Sequence, residues 1–496
     1  MGESEEGTVG ILGAGLSGVL MGMQLKRRGF DNFVIYEKEP DVGGTWYRNT
    51  WPGLHCDVAS HLYSYTFEPN PDWSQAFASQ PEIQAYIRSC AEKYGLLDHL
   101  RFGVTVDAAR YDEAAGHWQL DTAGGVTANH RVLVSATGGL TEPNFPKVEG
   151  LDQFAGIKWH SAAWRHDVDL SGLRVAVVGS AASAVQVIPE VVKRAGKTFV
   201  FQRSPNWVMP RNNTNFSDAQ KDAFRDVATH RSYCRKLYRR TLLMYNAFRR
   251  HPRAIEIMRS VGLGHMRSAI DDPELIELLT PSYEPGCKRI VVSDDYYPAF
   301  AQSNIRLIPH GVTGLTRDGV IAADGSETKV DVVIFCTGYK LGSRADGSPA
   351  VEVYGRGGER LNSALARRPE SYRGVAVPGF PNYFTICGVN GVAAYASLFK
   401  SAEICSDFIS DRIEEIWDED LLSVEVKADE THDYNEVIQA QLQDMSWATG
   451  QCTNFYRNRE GRVLSFHPYT LGRMRRELRS LGRRDFYIEQ QRSANY

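Results

Sequence analysis

Two short, largely apolar runs, at residues 8–12 and 174–178, organise the pattern along the chain. Runs of this kind, bounded by turn residues, read as strands buried on both faces. The first leads into Gly13-Ala14-Gly15-Leu16-Ser17-Gly18, followed by apolar positions at helical spacing (Leu16, Val19, Leu20, Met23), and a further strand at 33–36 ends at Glu37. The second leads into Gly179-Ser180-Ala181-Ala182-Ser183-Ala184, a helix expected over 185–194, and a strand over 198–201 that ends at Gln202-Arg203-Ser204. Later apolar strands at 132–137 and 331–335 exit through Ala136-Thr137-Gly138 and Cys336-Thr337-Gly338. The repeated order of strand, glycine turn, helix and strand predicts an α/β fold with two Rossmann-like dinucleotide-binding units. Residues 1–142 and 340–496 are expected to form the first unit and 143–339 the second. A polar, basic helical insertion is expected at about 210–283, packed on the second unit. An amphipathic helix over 81–97, antiparallel strands over 102–112 and 117–121, and a helix over 393–411 complete the first.

The chemistry of these turns follows from their composition. Glycines permit a tight turn and close approach of a pyrophosphate, whose charge the helix N-terminus favours. An acid about 20 residues on, here Glu37, accepts from ribose hydroxyls. Gly13, Gly15, Ser17, Gly18 and Glu37 are therefore candidate contacts of a first dinucleotide, and Gly179, Ser180, Ser183 and Gln186 of a second. Ala181 stands where the second turn would carry a glycine, and its methyl is expected to crowd a pyrophosphate. Arg203 stands where an NAD site carries an acid, and arginine suits the extra ribose phosphate of NADP. Between the units, Gly43-Gly44-Thr45-Trp46 and Trp51-Pro52-Gly53-Leu54-His55-Cys56-Asp57 have two equally weighted readings: a surface loop with an aromatic anchor, or a loop laid along a planar ligand.

Composition narrows the class. A length of 496 residues, 43% apolar and 23% charged, suits two or three globular domains, and a net charge of −4 gives no argument for nucleic acid or an anionic membrane. No run approaches about 20 apolar residues, as a membrane span requires. The acidic 1–7 stretch lacks the apolar core of a secretory signal. Eight cysteines without any C-x-x-C argue for a reducing cytoplasm and against a disulfide framework or cysteine metal site. The basic runs at 231–250 and 473–484 read as solvated helix faces.

One segment is more specific than either turn. Phe154-Ala-Gly156-Ile-Lys-Trp-His160-Ser-Ala-Ala-Trp164 resembles the fingerprint F-x-G-x-x-x-H-x-x-x-W-P/D of type I Baeyer–Villiger monooxygenases, with Arg165 departing at the last position. A second signature of that family, G-x-W-x-x-x-x-(F/Y)-P-G-x-x-x-D, is matched at Gly44, Trp46, Pro52, Gly53 and Asp57, with Trp51 replacing Phe or Tyr. The resemblance implies FAD in the first unit, with Gly44, Thr45, Trp46, Asp57, Tyr63 and Val106 among its contacts. It implies NADPH in the second, with Arg203, Ser204 and Lys288 at the 2′-phosphate. It implies a catalytic Arg289 held by Asp57, and a His160 that serves linker geometry and domain motion. The implied reaction takes a ketone and O2 to an ester or lactone through an anionic C4a-peroxyflavin stabilised by Arg289. The alternative is a flavin monooxygenase that oxidises nitrogen or sulfur atoms. His55, where the family carries Arg, and Phe455, where it carries Trp, are further departures. No metal, nucleic-acid or membrane partner is expected, and the protein is expected to be a monomer or weak oligomer.

Overall fold

A computed structural model describes residues 8–125, 127–340 and 350–491; the acidic stretch 1–7 lies outside them. The first apolar run forms β1 (Thr8–Leu12), buried at every position, followed by α1 (Leu16–Arg27) and β2 (Phe33–Glu37). β1 lies between β2 and β6 (Thr127–Ser135), parallel to both. β3 (Leu100–Phe102) adds to β2 in parallel, and β4 (Val106–Asp112) and β5 (His117–Thr122) form an antiparallel extension beyond β6. With Glu352–Tyr354 beside β4 and Tyr383–Thr385 on the later part of β6, the sheet has eight strands among the described residues. The expected strand at 102–112 is thus two. Gly103, at φ +69°, breaks the run, and the pieces join different neighbours. The helix expected over 81–97 is Gln80–Lys93, ended before Gly95 at φ +66°.

The second sheet has five parallel strands in the order Ile305–Ile308, Lys197–Phe201, Arg174–Val178, Val332–Phe335, Ile157–His160. The two glycine turns are built alike. A Cβ on Gly13 would sit 2.9 Å from the Ala136 carbonyl oxygen, and one on Gly179 would sit 2.4 Å from that of Cys336. Each turn therefore packs on the strand exit of its own sheet, and only glycine permits that approach. The chain crosses between the sheets at Glu142–Pro143 and Tyr339–Lys340, which pair antiparallel. A single apolar cluster includes Val9 and Ile11 of the first sheet and Val175 and Val177 of the second.

Two expectations change. The insertion is helical, at Asp218–Arg225, Val227–Phe248, Pro252–Arg267 and Pro273–Leu279, but it does not pack on the second unit alone. Phe216, Phe224 and Tyr233 surround the buried His61, Tyr238 Oη lies 2.8 Å from Tyr395 Oη, and Phe248 stacks near Trp447. Aromatic positions on its inner side decide this contact, whereas Arg231, Arg235, Lys236, Arg239 and Arg240 are exposed as expected. Second, Cys287 and Cys452 are joined by a disulfide across 165 residues. Local spacing carries no information about a pairing at that separation. Among the described residues, no helix is long and apolar enough to cross a membrane.

Candidate active site

Each glycine turn ends at a helix N-terminus. Gly15 and Ala181 are the N-caps, both in extended conformation, with no side-chain cap and no acid in the first turn. The first-turn N–H groups are thereby left for an external anion. Ala181 is exposed and adopts nearly the same backbone angles as Gly15 (φ −90°, ψ −167° against φ −70°, ψ −171°), so the extra methyl costs the turn nothing in backbone strain. Gly18 is required by contact: its Cβ would lie 1.8 Å from the Gly13 carbonyl oxygen. Ser17 and Ser183 stand half-buried on the two first helical turns. Glu37 is buried at the end of β2, where its carboxylate accepts from the Ala14 N–H at 2.7 Å and the Glu39 N–H at 2.9 Å. Burial pushes its pKa up, against the pull of those two donors. This uncapped, glycine-lined cradle with an acid at the strand end fits the dinucleotide expected there. Gly44, at φ +55°, crosses above Gly15 too closely for a side chain, and Thr45 opens the short helix Thr45–Arg48. The Trp46 indole donates to Tyr63 Oη at 3.0 Å, and both rings are buried. Val106 is placed differently: its side chain lies in the apolar cluster with Leu12, Val34 and Tyr36.

The loop at 51–57 is not a free surface loop. The Trp51 indole donates to Gln186 Oε1 at 3.1 Å, and Gln186 Nε2 donates to the His55 carbonyl at 2.9 Å. Gln186 thus clamps the first unit to the helix Ala182–Val192 of the second. The loop ends at Asp57, which meets Arg289, 232 residues away. Arg289 Nε donates to Asp57 Oδ2 at 3.0 Å, and Nη2 donates to the same oxygen. The Asp57 charge, opposed by partial burial, raises the Arg289 pKa above its ordinary value, so the guanidinium is a fixed cation. Its side chain keeps 49% of its surface exposed. Tyr456 is buried beside this pair.

Next along the chain, Lys288 Nζ donates to Ser204 Oγ at 2.7 Å. Arg203 is exposed at the same strand exit. Burial, then repulsion from Arg203, lowers the Lys288 pKa. Two cations that repel each other beside a hydroxyl donor form a site in want of an anion. Ser180 Oγ donates to the Ser204 carbonyl at 2.8 Å, and Asn206 Nδ2 to the Ser180 carbonyl at 2.7 Å, tying the glycine turn to this exit. Asn206 gave no sequence signal, because its role depends on a loop fold.

The 154–164 segment has a structural logic of its own. A Cβ on Gly156 would strike the Phe154 ring at 2.5 Å and the Asp331 carbonyl at 2.4 Å. His160 is buried at the end of its strand, accepts from the Ala162 N–H at 3.1 Å, and packs between Phe145 and Tyr339. It therefore lies under both crossings between the sheets, and burial lowers its pKa to about 4. Trp164 meets Trp159 edge-on, and Arg165 is a solvated partner of Asp167. Phe455 is 61% exposed.

Residues 6–219 match the family model "Flavin-binding monooxygenase-like". A Baeyer–Villiger monooxygenase of Pseudomonas aeruginosa is 37% identical over 449 residues, covering 90% of this chain and 85% of that protein. One from Streptomyces coelicolor is 35% identical, covering 97% and 92%. Among solved structures, an oxidised steroid monooxygenase bound to NADP superposes with a TM-score of 0.86 at 28% identity, covering 97% and 99%. With two Rossmann-like units, an arginine–aspartate pair that joins them and this similarity over nearly the whole length, the chain belongs to the Baeyer–Villiger monooxygenase family.

Proposed function

We propose that Arg289 and Asp57 are the catalytic pair of an FAD- and NADPH-dependent enzyme that inserts oxygen beside a ketone carbonyl to give an ester or lactone. The observation that carries this reading is a charge-fixed, half-exposed guanidinium of the second unit held by Asp57 of the first. FAD, reduced by NADPH, supplies the activation of O2. The protein's part is electrostatic. Attack on a carbonyl carbon needs a nucleophile that keeps its negative charge, and a permanent cation stabilises that charge and the oxyanion that follows. Asp57 aims the guanidinium and leaves its remaining N–H groups for the reacting oxygens. The first turn with Glu37, the Gly44–Trp46 loop and Tyr63 would hold FAD. The second turn with Ser180 and Ser183 would hold the NADP pyrophosphate, and Arg203, Ser204 and Lys288 its 2′-phosphate. Gln186 serves the clamp to the 51–57 loop, and His160 the geometry of the two crossings. Val106 would reach FAD through its backbone, since its side chain is core. The demand for NADPH supports a cytoplasmic location, and a monomer or weak oligomer meets it, since both halves of the site lie in one chain.

The test is incubation of the purified holoenzyme with NADPH, 18O2 and a panel of linear and cyclic ketones, with a thioether in parallel. Ester or lactone carrying one labelled oxygen, in preference to sulfoxide, is the expected result. Sulfoxide alone would favour the soft-atom monooxygenase instead.

A further inference from the structure

The disulfide lies one residue from the proposed site. Cys287 immediately precedes Lys288 and Arg289 and is wholly buried, while Cys452 is partly exposed. The residues around Cys452 are clasped to the same strip of backbone by non-covalent contacts. Ser446 Oγ donates to the Gly286 carbonyl at 3.1 Å, and Asn454 Nδ2 donates to the Cys287 carbonyl at 3.1 Å and to that of Trp447 at 2.9 Å. Gly450 packs so tightly on Cys287 that a Cβ there would lie 2.8 Å from its sulfur. Asn454 Oδ1 accepts from the Tyr456 N–H at 3.1 Å, which continues the clasp to the ring beside Arg289. The covalent bond thus ties the 446–456 segment to the stretch of backbone that carries the two proposed functional cations.

We propose that Cys287–Cys452 is a redox-controlled positioning device that sets the 446–456 segment against Lys288 and Arg289. Cys452, partly exposed, presents the sulfur that a thiolate reaches. Attack there by a dithiol breaks the S–S bond, and Cys287 leaves as a thiolate and takes up a proton. The second thiol of the dithiol then resolves the mixed disulfide. Two electrons and two protons pass to the protein, and the dithiol is oxidised to its own disulfide. With the bond open, the segment is held by hydrogen bonds alone. The site loses fixed geometry, and NADPH consumption separates from oxygen insertion. A reducing compartment would then keep the enzyme in its less coupled form, and oxidation would tighten it.

This proposal rests on the reading of Lys288 and Arg289 as functional residues, and its test separates the two. The holoenzyme is isolated in air, and half is treated with dithiothreitol, which is then removed under nitrogen. Thiols titrated after denaturation should number six in the first sample, matching the free cysteines, and eight in the second. Limited proteolysis without substrate should cut within 446–456 only after reduction. Ester formed per NADPH should fall by up to about 100-fold, the cost of a misplacement of about 1 Å at a reacting centre. Re-oxidation with diamide should restore it. The C287S/C452S double variant should behave as the reduced enzyme and ignore dithiothreitol. Eight thiols in the air-isolated enzyme, or reduction that changes neither proteolysis nor coupling, would overturn the proposal. Thiol count and proteolysis do not depend on Arg289. A persistent clasp beside an Arg289→Ala variant that still makes ester would therefore sink the catalytic assignment alone.

Discussion

Lys288 and Arg203 carry a prediction of their own, because their environment is unfavourable without an anion. Burial and mutual repulsion lower the Lys288 pKa, so it loses its proton at a lower pH than an ordinary lysine. A bound dianion would relieve both effects, so NADP+ affinity should decline as pH rises toward the lysine range, and NAD+ affinity should not. Lys288→Ala or Arg203→Ala should raise the Kd for NADP+ about 10–100-fold, the worth of one charge-assisted hydrogen bond. Fluorescence titration with both nucleotides checks this; equal losses for NAD+ would remove the residues from the 2′-phosphate. At this scale the sequence was legible where chemistry follows a local order. Arg203 at a strand end and Glu37 after a glycine turn are read from their neighbours. Val106 rested on the resemblance alone, since a buried valine in a sheet carries no local sign of a ligand.

The two glycine turns differ in how much each tolerates. Gly18 lies against the Gly13 carbonyl, so Gly18→Ala must push the start of α1 away from the turn. Loss of bound FAD and a lower melting temperature are expected. A stable variant that keeps full flavin would show that the turn adapts. Ala181, by contrast, is exposed on extended backbone, and Ala181→Gly should change NADP+ affinity little. The alternation of strand, turn and helix was legible because each element writes its period into consecutive residues. Contacts across large separations write nothing local. The Trp51–Gln186 clamp, the docking of the insertion on His61 and Tyr395, and the Cys287–Cys452 bond therefore emerged only in three dimensions.

Over the whole molecule, the buried histidines bear on acid stability. Burial lowers the pKa of His130 and of His160 to about 4, and that of His61 to about 3, from an ordinary value of 6.5. Each is neutral when folded and takes up a proton more readily when unfolded. Stability is full above about pH 6.5 and falls as pH drops through the window down to the folded values, by about 3 kcal/mol for each of His130 and His160. The melting temperature should already decline between about pH 6.5 and 5, above the ordinary carboxylate range. A flat profile there would contradict the burial of these rings in the folded state.

In the proposed mechanism Arg289 serves the oxygen-insertion step while the dinucleotide-binding units work without it. The most direct measurement is a pair of assays on Arg289→Ala: anaerobic bleaching of the flavin by NADPH, and ester produced from ketone in air. Bleaching should persist while ester formation drops about 10²–10³-fold, the loss expected when one preorganised stabiliser of a developing oxyanion is removed. Ester formation at the wild-type rate would contradict the account.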